Sequence, residues 1–182
     1  METQDDVTIY VGGVHASRRP TVVRTLLGSC IAVCLFDPVA GVGGMNHFLL
    51  PEARGSEDQG SLRFGVHAMD YLTGELMGKC GADRRRLQAK VFGGAHVVDM
   101  KEHEQSVPAR NVRFIQEFLR EERLQVVSQD LGGSQARLVV FHTHDGRARV
   151  KRLDGSAALA RLRQHHVEVP PPPPSFGDVT LF

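Results

Sequence analysis

Thiols are scarce in this 182-residue chain: only Cys30, Cys34 and Cys80, with no two at the two-residue spacing of a zinc knuckle or redox motif. So few cysteines exclude a disulfide framework and leave three thiols. Long apolar runs are also missing. The longest, Cys30 to Phe36, falls far below the roughly 20 residues that span a bilayer. The opening METQDDV is acidic where a signal peptide would be basic and then apolar. Neither sign of charge dominates, with 22 Lys and Arg against 21 Asp and Glu, so no global field favours nucleic acid or membrane insertion. The clusters Arg18-Arg19 and Arg84-Arg85-Arg86 read as solvated turns. No internal repeat is visible. The expectation is a cytoplasmic protein whose composition, 41% hydrophobic, suffices for one well-buried core over residues 1–168.

Hydrophobic periodicity predicts short strands at 7–11 and 21–27, joined by a polar loop, and a hairpin of 30–36 with 42–50 around the loop Asp37-Pro38-Val39-Ala40. Residues 51–60 read as a surface loop. Met69, Leu72 and Leu76 predict a helix over about 62–79, weakened by Gly74, and Val112, Ile115 and Leu119 predict another over 111–120 with Pro108 near its start. Leu87, Ala89 and Val91 form a strand running into Gly93-Gly94, a mark of a sharp turn or close backbone approach. Further strands fall at 124–129, 138–142 and 148–153, the last two flanking Asp145-Gly146 as a two-residue hairpin. Ser156 could cap a last helix to 165. Five consecutive prolines make 169–182 a stiff, disordered tail. Many strands and few helices in mixed order imply an α+β fold with helices packed outside sheet.

The stretch Thr25 to Pro51 holds more than core packing requires: two cysteines in one apolar run, and His47 seventeen residues after Cys30. A four-residue loop at 37–40 pairs Phe36 with Gly41, and the same register sets Cys30 directly opposite His47, with Cβ atoms about 4.5–5.5 Å apart. A one-residue slip would part them. An imidazolium neighbour favours the thiolate, giving a nucleophile and a general acid. Gly28 and Ser29 could aim backbone N–H groups at an oxyanion. The alternative is that Cys30 and Cys34 are small buried hydrophobes and His47 a satisfied core histidine. His96, His103, His142 and His144 match no metal-ligand spacing, and the segment after Phe92-Gly93 lacks the Lys-Ser/Thr ending of a phosphate loop.

With Leu27-Gly28-Ser29-Cys30, Asp37-Pro38 and Gly44-Met45-Asn46-His47-Phe48-Leu49-Leu50-Pro51 in view, the sequence resembles the CheD family, the chemoreceptor glutamine deamidases of bacterial chemotaxis. The likeness continues through Arg63-Phe64-Gly65, Lys90-Val91-Phe92-Gly93-Gly94, Ala109-Arg110-Asn111-Val112, Asp130-Leu131-Gly132-Gly133 and Val150-Lys151-Arg152-Leu153. The resemblance implies a cysteine-hydrolase fold shared with a toxin deamidase, a β-sandwich-like core with flanking helices. It implies a triad in which Cys30 and His47 match, and a threonine five or six residues before the cysteine, where this chain carries Thr25 and Arg24. Asn46 and the loop 51–60 would help wall a groove for the substrate.

The reaction so implied is hydrolysis of glutamine side-chain amides on chemoreceptor cytoplasmic helices, with no metal and no cofactor. Two alternatives differ in class or substrate: a binding regulator that partners a CheC-type phosphatase or the receptor, and a methylesterase acting on receptor glutamyl esters by the same thioester chemistry.

Overall fold

The computed structural model describes residues 5–49, 64–97, 106–154 and 160. The expected loop 51–60, His103, the expected helix 156–165 apart from residue 160, and the proline tail lie outside them. The described strands are β1 (Asp5–Thr8), β2 (Val14–Ser17), β3 (Thr21–Leu27), β4 (Ile31–Asp37), β5 (Val42–Phe48), β6 (Gln88–Gly93), β7 (Gln125–Leu131), β8 (Ala136–His142) and β9 (Ala148–Leu153), with helices α1 (Gly65–Gly78) and α2 (Val107–Glu121). They form a four-stranded sheet in the order β1-β3-β8-β9 and a five-stranded sheet in the order β2-β5-β4-β6-β7.

The continuous apolar run of β4 marks a strand covered on both faces, and its alternating side chains divide between two cores. Ile31, Val33 and Leu35 pack with Met69, Leu72 and Leu76 of α1 and with Ile115 and Leu119 of α2. Ala32 and Cys34 face the other way and join Val23, Leu27, Met45, Phe92, Val139 and Phe141 between the two sheets. The result is three layers, a sandwich of two sheets with both helices on the outside of the larger one, which is the expected α+β, sandwich-like architecture. Ser106 caps α2 by accepting a hydrogen bond from Ala109 N, with proline in the first turn.

Three expectations need correction. Val14–Ser17 is not loop but strand β2, pairing antiparallel with β5; as an edge strand of intermediate burial it lacks the strong alternation that would announce it. The β8–β9 connection is four residues, Thr143–Gly146, since Phe141 pairs with Ala148 and His142 N–H donates to Arg147 O at 2.9 Å. Thr143 is drawn into that loop by bonds between its N–H and Thr21 O and between Thr21 N–H and its own Oγ1.

The third correction concerns the β4–β5 hairpin. Asp37 pairs with Val42 and Ala32 with His47, so the loop is Pro38–Gly41 and the register lies two residues from the expected one. The cause is Asp37, which stays in the strand, fully buried, and accepts from Val39 N and Ala40 N through Oδ1 and from Asp83 N through Oδ2. Gly41 closes the turn at φ 63°, a conformation costly for other residues. Arg86, in the 3-10 turn Arg84–Arg86, grips the same carboxylate at 2.8 Å, so this arginine is anchored rather than simply solvated. A shift of two preserves the face of every residue. Cys30 and His47 therefore share the sandwich face as diagonal neighbours, at backbone separations of about 7–8 Å rather than directly opposed.

The Arg86 guanidinium, aided by the amides of Asp83, Ala40 and Val39, holds the Asp37 carboxyl far below the usual carboxylate range. Its folded-state value lies below the unfolded one, so the stabilisation is present above about pH 4 and is lost as pH falls toward the folded value. Asp37→Ala should cost about 1–3 kcal/mol, because several donors lose their acceptor. Urea midpoints measured from pH 7 to pH 2 should show a smaller acid-dependent loss in Asp37→Asn than in wild type, and identical slopes would refute this role.

Candidate active site

Cys30 stands one residue before β4, at the end of the Gly28-Ser29-Cys30 loop that carries the chain from β3 in the smaller sheet to β4 in the larger. His47 lies on β5 and Thr25 on β3, all three buried between the sheets. Thr25 Oγ1 is 2.7 Å from His47 Nδ1 and donates to Ile9 O at 2.8 Å. A hydroxyl has one proton, and the Ile9 carbonyl takes it. His47 must then donate its Nδ1–H to Thr25, so the neutral ring carries its proton on Nδ1 and presents Nε2 as the basic nitrogen. This is the arrangement in which a ring, held by a third group, can exchange a proton with a thiol.

The Gly28–Cys30 loop is fixed through its carbonyls. Ala95 N–H donates to Gly28 O at 2.9 Å and Gly94 N–H to Cys30 O at 2.8 Å, while Asn111 Nδ2 donates to Ser29 O at 2.8 Å. Gly93 has φ 116°, and a Cβ there would run into the Cys30 carbonyl oxygen. The close approach expected at Gly93-Gly94 is therefore an approach to Cys30 itself. Behind it, Gly132 N–H donates to Gly93 O at 2.9 Å, Arg137 Nη2 donates to Gly132 O at 2.7 Å and pairs with Asp130 at 2.8 Å. Arg137, then Arg152, hold the Asp130 carboxyl below its usual range. The Asp130-Leu131-Gly132-Gly133 motif thus braces the strand end that braces the cysteine.

Thr25 and His47 are in contact, Cys30 lies on the same sandwich face with Gly28 and Ser29 directly before it, and Asn46 does not join them. Successive strand residues face opposite ways. Asn46 points into the helix layer, where its Oδ1 accepts from Val33 N at 3.0 Å and its Nδ2 meets Met69 Sδ at 3.2 Å; fully buried, it cannot wall a substrate groove. Sequence reasoning missed Asn111. The signal was present in its position on the buried stripe of α2 with Ile115 and Leu119, where a polar residue needs a reason. Among the described residues no cluster of three His, Cys, Asp or Glu side chains could hold a metal ion. His96 Nε2 instead lies 2.8 Å from Ser106 Oγ.

The chain is thus a two-sheet α+β protein with a thiol, an imidazole and a hydroxyl gathered inside its sandwich. It belongs to the CheD family. The family described as CheD chemotactic sensory transduction matches residues 49–152, and similarity to curated relatives extends through the site. A probable chemoreceptor glutamine deamidase CheD of Caulobacter vibrioides (strain NA1000 / CB15N) is 43% identical over 97% of this chain and 92% of its own length. The probable chemoreceptor glutamine deamidase CheD 2 of Chromobacterium violaceum is 44% identical over 87% of this chain and 79% of its own. A probable chemoreceptor glutamine deamidase CheD of Vibrio cholerae serotype O1 (strain M66-2) is 40% identical over 97% and 78%.

The three thiols differ in setting. Burial pushes the Cys34 thiol far up, against a weaker pull from Lys90, and burial with Glu75 pushes Cys80 up. Iodoacetamide at neutral pH should therefore label only Cys30 in the native protein and all three after unfolding; native labelling of Cys34 would contradict the packing. In 15N spectra neutral His47 should be the Nδ1–H tautomer, and Thr25→Val should shift it toward Nε2–H.

Proposed function

We propose that this protein hydrolyses glutamine side-chain amides to glutamate on the cytoplasmic helices of chemoreceptors, with Cys30 as nucleophile. The Cys30 sulfur bonds to the amide carbon, the carbonyl pair moves to oxygen, and N–H groups of the Gly28–Cys30 loop receive that oxyanion. His47, having taken the thiol proton, gives it to the departing nitrogen; the C–N bond breaks and ammonia leaves. Water then loses a proton to His47 Nε2 and adds to the thioester, the C–S bond breaks, and glutamate and free thiol remain. Thr25 orients the ring throughout. Thiol, imidazole and water suffice, so the scheme needs no metal or cofactor.

The observation that carries this reading is the bond from His47 to Thr25 across the sandwich beside Cys30, together with relatives whose names state glutamine deamidation of chemoreceptors. We place the reaction in the cytoplasm because the substrate helices lie there, on a sandwich we read as the cysteine-hydrolase fold of toxin deamidases. Each turnover replaces a neutral amide by a carboxylate, changing repulsion between receptor helices and creating a site for methylation.

Incubation of a receptor cytoplasmic fragment with the protein should release ammonia and convert specific glutamines to glutamate by mass. Cys30→Ala should abolish both, and Thr25→Ala should lower the rate by something on the order of 10 to 1,000-fold. Receptor or CheC-type phosphatase binding without ammonia release would leave a binding regulator instead, and methanol release from a methylated fragment alone would leave a methylesterase.

A further inference from the structure

Asn111 is fully buried on the inner stripe of α2, and its Nδ2 reaches across to donate to the Ser29 carbonyl oxygen at 2.8 Å. A carbonyl oxygen only accepts, so the amide must present its NH2 group there. Its Oδ1 is buried with no hydrogen-bond partner among the described residues. A leucine at this position would fill similar space without burying a half-satisfied amide. Asparagine is the less stabilising choice for packing, which points to a role outside packing.

That role follows from peptide geometry. In a trans peptide the C=O and the following N–H point in opposite directions, and the described residues contain no cis bond. The bond to Ser29 O therefore sets the direction of the Cys30 N–H, as Ala95, by holding Gly28 O, sets that of Ser29 N–H. Ala95 acts through the backbone; Asn111 is the side chain in this clamp. We propose that Asn111 is a positioning residue that aims the Cys30 N–H at the oxyanion formed when the thiolate attacks a carbonyl. The proposal rests on the reading of Cys30 as the nucleophile.

Two reactions of the same sulfur separate this role from a merely structural one. Iodoacetamide alkylates by displacement at a saturated carbon and forms no oxyanion. p-Nitrophenyl acetate acylates through one: the S–C bond forms, the charge sits on oxygen, then the C–O bond breaks and p-nitrophenolate leaves. The full-length protein, Asn111→Asp and Asn111→Leu are compared for both rates at Cys30, for thermal midpoint, and for kcat and KM on a receptor fragment. Acylation and kcat should fall by roughly 100-fold, as for loss of one oxyanion donor, while alkylation and KM stay within about 3-fold and Asn111→Leu melts cooperatively. Unchanged acylation in a folded variant, acylation and alkylation falling together, or failure of both variants to fold would each overturn the assignment. Wild-type protein that is acylated as expected but releases no ammonia would sink the deamidase reading while the ratio of the two rates still decides the role of Asn111.

Discussion

The hydrogen bond from His47 to Thr25 joins residues on different sheets, so it exists only while the sandwich holds its spacing. Strands in one sheet are fixed by their own ladder, but the gap between sheets is fixed by side chains alone. Val23, Leu27, Cys34, Met45, Phe92, Val139 and Phe141 fill that gap and thereby set the distance between hydroxyl and ring. Large-to-small substitutions among them would act on the ring before they act on the fold.

The cysteine is governed from the opposite side. Its loop is held by Gly94 and Ala95, directly after β6, and by α2 through Asn111, and the end of β6 is in turn braced through Gly132 by the Asp130–Arg137 pair. Sandwich, central sheet and helix layer therefore each contribute one constraint, which is why the motif residues are scattered along the chain yet converge on one short loop.

Much of this was legible in the sequence, and what was missed has physical causes. The double coverage of β4, the helical stripes and the strand ending at Gly93-Gly94 follow from periodicity and glycine chemistry. Thr25 and its histidine could be named from the family resemblance, although no local pattern reveals a contact between separate sheets. The hairpin register failed by two because Asp37 looks like a loop residue; its distant partners Arg86 and Asp83, which no local pattern announces, help keep it in the strand. Asn46 was misplaced because adjacency to His47 along the chain was allowed to outweigh alternation across the strand. Asn111 escaped because its partner, a main-chain carbonyl 82 residues away, leaves no trace in composition.

Thr25 is neutral, and its proton is already committed to the Ile9 carbonyl. On that side His47 thus faces a chain of dipoles that ends in a peptide group instead of a carboxylate. In the proposed reaction, transfer of the thiol proton to the ring would create opposite charges that balance each other, so the site as a whole would stay neutral. Once sulfur had bonded to carbon its charge would be spent, and the ring's positive charge would answer to the substrate's oxyanion alone. The threonine gives the imidazolium a direction but no counter-ion, which leaves the proton free to follow the leaving nitrogen out of the site.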